Sequence, residues 1–154
     1  MEAIVNKKAR FNFYLEDTYE AGISLQGWEL KPLLNRRANL DASHVIVKNG
    51  EVFLLNAQIS PETTTSTFDS IEPTRTRKLL LHKKEIMQLL GKVEQRGYTI
   101  VATKIYSKGK NFKVQIALAK GKNEHDKRDT KKEQDWQREH DKIFKKSTKS
   151  NKTN

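Results

Sequence analysis

A mainly β fold, with short antiparallel strands closing into a small barrel and a basic segment trailing from it, follows from three observations. The run "HVIVKNGEVFLLNAQIS" (44–60) sets two β-branched and aliphatic stretches on either side of Asn49-Gly50, the dipeptide best suited to the positive φ of a tight hairpin. The runs "GYTIVATKIYS" (97–107) and "NFKVQIALAK" (111–120) alternate with period two around the turn "KGKN", and form a second pair. The chain then changes character. Residues 1–119 hold 18 basic and 12 acidic residues and nearly all the aliphatics, whereas 120–154 hold 12 basic and 7 acidic residues, with Trp136, Ile143 and Phe144 as their only large apolar side chains.

The elements are expected in the following order. In "NKKARFNFY", Phe11 and Phe13 alternate like core positions of a first strand. Asp17 or Thr18 can open a short helix, with Glu20 in its first turn. "AGISLQGWELKPLL" (21–34) reads as a strand in which Gly27 marks a bulge or a close backbone approach and Pro32 ends the ladder. After the Asn49-Gly50 hairpin, "ISPETTTSTFDSIEP" (59–73) is a polar loop bracketed by Pro61 and Pro73. A helix follows in "LHKKEIMQLLGKVEQRG", where Ile86, Leu89, Leu90 and Val93 recur at helical spacing and Gly97 stands where a C-terminal cap belongs. In the second hairpin Tyr98, Ile100, Ala102, Lys104 and Tyr106 share one face, as do Phe112, Val114, Ile116 and Leu118. Five or six strands with an inserted helix suit a closed or partly open barrel of the OB type, which hides its edges and commonly binds nucleic acid; a sandwich of equal strand count reads alike. The expected division is a barrel over 1–120 and a tail over 121–154. The tail has too little to bury to offset its ordering entropy, so it is expected to be unstructured alone.

The 154-residue chain carries 30 Lys+Arg against 19 Asp+Glu, a formal +11. Such a charge attracts polyanions, which puts nucleic acid first among partners. There is no cysteine, which excludes disulfides and thiolate metal sites. No apolar run approaches a membrane span and no secretory signal is evident, so a cytoplasmic protein is expected. The histidines, His44, His82, His125 and His140, fit no metal-binding or catalytic spacing. Neither catalysis nor a cofactor or metal is expected.

Basic groups carry the signal. "EPTRTRKLLLHKK" (72–84) concentrates Arg75, Arg77, Lys78, Lys83 and Lys84. If extended, Arg75 and Arg77 share a face and can clamp consecutive phosphates; equally, they can be the charges that keep a strand edge soluble. "NKKAR" puts Lys7 and Arg10 beside aromatics, as a stacking and phosphate surface would, although Phe11 and Phe13 also suit a core. Glu20 can accept from base amino groups or a 2′-hydroxyl, or simply favour a helix N-terminus. In the tail, Trp136, Ile143 and Phe144 form one stripe if the segment becomes helical, on docking or on a partner.

Taken together, "NKKAR", "EAGISLQGWELK", "RRANL", "PTRTRKLLLHKKEI", "LLGKVEQRGYTIV" and "AKGKNEHDKR" resemble the SsrA-binding protein (small protein B) family, the bacterial partner of transfer-messenger RNA in trans-translation. The resemblance implies a small six-stranded antiparallel OB-type barrel with flanking helices and a basic C-terminal tail, without an active site and expected to be a monomer. It implies binding of the tRNA-like domain of that RNA through Asn6, Glu20, Leu80 and Lys113, with Arg75, Arg77 and Lys78 in the same signature. It further implies that protein and RNA together imitate a tRNA on a stalled ribosome, with elongation factor Tu as an indirect partner. The tail would enter the empty mRNA channel beyond the decoding centre and fold there as a helix against ribosomal RNA. Its matching positions are Lys120, Gly121, Lys122, His125, Asp126, Lys127 and Arg128, then Trp136, Ile143 and Phe144. Two departures stand out: Asn123 replaces a usual lysine in a "GKK" triplet, and "ELKPLLNRR" brings Pro32 and Arg36-Arg37 into a segment that usually reads otherwise. The rival readings are a general single-stranded RNA-binding protein or RNA chaperone on an OB barrel, and an RNA-processing enzyme.

Overall fold

A computed structural model describes residues 3–61, 71–94 and 98–122. Both hairpins stand where their turn residues put them. Strands β4 (His44–Lys48) and β5 (Glu51–Leu55) pair around Asn49 and Gly50, whose φ values of 53° and 75° are those the dipeptide supplies at least cost. Strands β8 (Tyr98–Lys108) and β9 (Asn111–Gly121) pair around Gly109-Lys110, with Gly109 at φ 63°. Strand β2 (Phe13–Ile23) pairs antiparallel with β9 and with β7 (Arg77–Leu80), which in turn pairs with β5. Because β4 also pairs with β8, the order β8-β4-β5-β7-β2-β9 returns to β8 and closes a ring of six antiparallel strands. Closure removes the open edges that a sandwich would keep. The two-residue strand β1 (Ile4–Val5) adds to β8, and β3 (Ala38–Asn39) pairs with β6 (Gln58–Ile59) in a separate ribbon.

Val45, Leu54, Leu79, Ile100, Ile116 and Leu118 are buried together in the main core, joined by Leu33 and Leu89 from helices. A smaller cluster of Ala9, Val101 and Ala119, flanked by Phe13 and Leu15, covers the outside of β8 and β9. This is why β9 is buried at four successive positions, Ile116 to Ala119, where a strand with one solvated face would alternate.

Four local expectations are corrected. The N-terminal stretch is helix α1 (Lys7–Asn12) through Phe11, and only Phe13 and Tyr14 belong to a strand, the start of β2: the Asn6 side chain caps the helix by accepting from the Ala9 N–H at 3.1 Å. No helix begins at Asp17 or Thr18; both lie in β2, where Thr18 to Gly22 pair with Ala117 to Lys113, and this long ladder outweighs local capping preference. The stretch 21–34 is a strand only to Ile23, then helix α2 (Gly27–Leu34) with Pro32 inside it. The Gln26 N–H is capped by Glu29 at 2.6 Å, and Glu29, Pro32 and Leu33 are buried; the hydrogen bond lost at one proline is outweighed by that anchorage. The close backbone approach sits at Gly22 instead of Gly27: a Cβ on Gly22 would stand 3.2 Å from the Leu80 Cβ, while at Gly27 nothing lies within 4 Å.

The fourth correction concerns β8. A bulge between Ala102 and Lys104 leaves Thr103 extra, so the inward parity switches from Ile100 and Ala102 to Ile105. Lys104 and Tyr106 therefore do not share the buried face of Ile100. Helix α3 (Lys83–Val93) buries Leu89 fully but leaves Leu90 40% exposed; the expected Gly97 cap lies outside the described residues.

Candidate nucleic-acid interface

Four strands bring the outer-face residues together. Gly22 of β2 stands opposite Leu80 on one side and Lys113 of β9 on the other, and Lys113 stands opposite Tyr106 of β8. Leu80, Gly22, Lys113 and Tyr106 thus form one row across the barrel, with Glu20 two residues along β2. Leu80 is 54% exposed, an apolar side chain held out to solvent by the parity that buries Leu79. An open cleft of about 360 Å³ lies here, lined by Glu20, Gly22, Leu80, Lys113 and, from the start of α3, His82 and Glu85.

Glu20 is held in place. The Tyr106 hydroxyl donates to its Oε2 at 2.6 Å and the Lys108 ammonium to its Oε1 at 3.2 Å. These two bonds, Tyr106 first, keep its carboxyl below the usual range. Burial and the bond to Glu20 push the Tyr106 phenol up to about 12. The Lys104 ammonium lies 5.3 Å from the centroid of the Tyr106 ring, a cation–π contact. The face therefore offers a fixed acceptor, an apolar contact and several cations side by side. Sequence reading missed Gly22, Tyr106, Lys104 and Lys108. The available signal was the parity switch after Ala102, which turns Lys104, Tyr106 and Lys108 into one solvent-facing set.

The arginine signature is used differently. Glu29 is fully buried and accepts from Arg75 and from Arg77, whose side chain is also fully buried. Arg77 further donates to the carbonyls of Ala57 at 2.7 Å and Pro73 at 3.1 Å, and Arg75 to that of Ser24 at 3.1 Å. Burial pushes Glu29 up, but donation from Arg75, the Gln26 N–H and Arg77 more than reverses it, leaving the carboxyl below its ordinary value. Arg77 is lowered by burial, which its bond to Glu29 only partly offsets. The phosphate clamp by Arg75 and Arg77 is thus corrected: their guanidinium groups face Glu29 and backbone carbonyls, tying β7 to α2. Lys78, on the other face, is exposed and pairs with Glu51 at 3.1 Å.

Asn6 is also interior. Besides capping α1 it donates to the carbonyls of Leu40 at 3.1 Å and Ala102 at 2.9 Å, and it is buried. Lys7 and Arg10 lie exposed on α1. Lys120 and Gly121 end β9 on the surface, and Lys122 follows. His125, Asp126, Lys127, Arg128, Trp136, Ile143 and Phe144 lie outside the described residues.

Residues 3–146 match the family model described as SmpB protein. An SsrA-binding protein of Burkholderia vietnamiensis is 50% identical over 148 residues, covering 96% of this chain and 100% of the relative. One from Burkholderia thailandensis is 49% identical over the same coverage. A solved structure described as tmRNA–SmpB in the bacterial ribosome is 41% identical with a TM-score of 0.67, over 79% of this chain and 85% of that one. Matched by the family model over most of its length and half identical to relatives it spans end to end, the chain belongs to the SmpB protein family.

Proposed function

We propose that this chain is an RNA-binding protein of trans-translation. It binds the tRNA-like domain of transfer-messenger RNA through the barrel face that carries Glu20, Leu80 and Lys113, and brings that RNA to stalled ribosomes. It acts in the cytoplasm, as a binding factor and not as an enzyme. Its relatives are named for SsrA binding, and the solved neighbour is a tmRNA–SmpB assembly of the ribosome. The single observation that carries the assignment of the face is the convergence of Glu20, Leu80 and Lys113 on one open cleft from three different strands. A carboxylate fixed by Tyr106 and Lys108 suits base amino groups or a ribose hydroxyl, and Lys113 suits phosphate.

The barrel holds the RNA, and the segment 121–154, with its excess of basic charge, reads the vacant mRNA channel, attracted by ribosomal RNA. Elongation factor Tu meets the assembly through the RNA. The test is a titration of the full chain against the tRNA-like domain RNA over a range of salt. Lys113→Ala should weaken binding and lower the salt slope by about 1, and Glu20→Ala should weaken binding with the slope unchanged. Equal affinity for unstructured RNA would sink the reading in favour of a general RNA chaperone. Truncation after Gly121 should preserve this affinity and abolish tagging of stalled chains; joint loss of both would contradict the division of labour.

A further inference from the structure

A second cleft adjoins the first. It measures about 350 Å³ and shares Gly22, Leu80 and Lys113 with its neighbour, so that Leu80 stands as a ridge between the two. Its floor is apolar: Leu25 and Leu30 come from the entry and first turns of α2, and Phe112 from β9. Its rim carries Lys110, in the exposed turn of the β8–β9 hairpin, and Lys113. Leu30 is 45% exposed, an apolar side chain with no core to serve at that position.

We propose that this cleft is a binding site for one unpaired nucleotide, its base against Leu25, Leu30 and Leu80 and its phosphate between Lys110 and Lys113. The proposal rests on the RNA-binding reading and extends it. Two features on the protein select this occupant over an apolar peptide. The cations at the mouth suit a ligand that joins an apolar face to an anion, which is what a nucleotide is. The cleft is also continuous with the Glu20 cleft through Leu80 and Lys113, so one RNA strand can occupy both, its successive bases parted by the Leu80 ridge. The volume lies at the lower end of ligand sites, about 300–1,000 Å³, and suits one base rather than a stack. Apolar contact here costs little preorganisation, because Leu80 is fixed by its β7 pairing with Gly22.

The test uses the full chain and the tRNA-like domain RNA, intact and with a single abasic nucleotide at each unpaired loop position in turn. One abasic position should weaken the wild type about 5- to 10-fold, the loss expected when about 50 Å² of apolar base surface is no longer buried. Leu30→Ser should weaken binding of intact RNA by a similar factor, and the two losses should not add. Glu20→Ala should add to the same abasic loss. Because Leu30 lies on a short helix, Lys110→Ala provides a variant at an exposed turn, and it should reduce the salt slope by about 1. Wild-type affinity in Leu30→Ser, additive losses at every abasic position, or an unchanged salt slope in Lys110→Ala would overturn the site and assign the cleft to a protein surface or a second copy. Absence of any wild-type preference for this RNA would instead defeat the RNA-binding reading itself, and the cleft with it.

Discussion

Replacing Glu29 by glutamine should remove a large part of this protein's margin of stability without touching the face that carries Glu20, Leu80 and Lys113. The carboxylate is fully buried, as is Arg77, while Arg75 keeps 18% of its side chain exposed. The substitution leaves a buried guanidinium whose charge no anion balances. Breaking one partner of such a pair costs about 3–5 kcal/mol. Arg77 retains the carbonyls of Ala57 and Pro73, which favours the lower end of about 3 kcal/mol. Against a typical domain stability of about 5–15 kcal/mol, that is a large fraction. Urea unfolding followed by far-ultraviolet circular dichroism gives the number, and the exposed Lys78–Glu51 pair gives the control. Lys78→Ala should cost less than about 1 kcal/mol. A Glu29→Gln midpoint within experimental error of the Lys78→Ala midpoint would refute the reasoning. The pH dependence supplies a second check. The Glu29 carboxyl lies below its ordinary value of 4.5 in the folded chain, so its contribution is complete above that value and lost as pH falls through the folded pKa. The gap between wild type and Glu29→Gln should be widest near neutrality and close on acidification below 4.5; a gap that widens in acid has the wrong sign.

Tyr106→Phe should lower affinity for the tRNA-like RNA about 2- to 10-fold, the equivalent of one net hydrogen bond, by freeing Glu20. The phenol stays protonated up to about 12, so the deficit measured by titration should be constant from about pH 6 to about pH 10. Gly22→Ala should cost about 1–3 kcal/mol in urea unfolding, because its methyl meets the Leu80 Cβ at 3.2 Å, and it should weaken RNA binding by displacing Leu80. Asn6→Ala should cost about 2–4 kcal/mol by removing a cap and two buried hydrogen bonds. Its RNA affinity, measured where the variant is folded, should match the wild type; a selective binding loss would show that Asn6 touches RNA.

What was legible in the sequence follows the range of the forces that decide it. The Asn49-Gly50 and Gly109 turns need positive φ at those residues, a local demand that any reader of the chain can see. Leu80 and Leu79 differ in fate only because β7 is wedged between β2 and β5, which no period-two pattern of four residues reveals. The arginine pair shows the point most sharply. Arg75 and Arg77 sit in a run dense with surface charge, and their spacing alone fits phosphate as well as it fits anything. Their partner lies 46 and 48 residues away, at the one acidic position of a segment that reads as strand but forms α2. Had Glu29 been recognised as the third residue of a helix, capping Gln26, its burial would have required cations, and Arg77 at the start of β7 with Arg75 just before it supply them. An apparent nucleic-acid motif is thus in part a buried ionic tie. On the proposed RNA face, Tyr106 and Lys108 hold Glu20, and the turning of both to that face depends on one extra residue at Thr103. Deleting Thr103 makes this argument testable. Without Thr103 the ladder runs Ala102, Lys104, Ile105, Tyr106 opposite Ile116, Gln115, Val114, Lys113 with no extra residue, so Ile105 should stay inward and the Tyr106 contact to Glu20 should survive. Stability should fall, because the Thr103 carbonyl and hydroxyl bonds to Asn6 and Gln115 are lost, and a folded deletion variant that loses RNA affinity would show that the pairing of 104–108 with β9 does not by itself set the face.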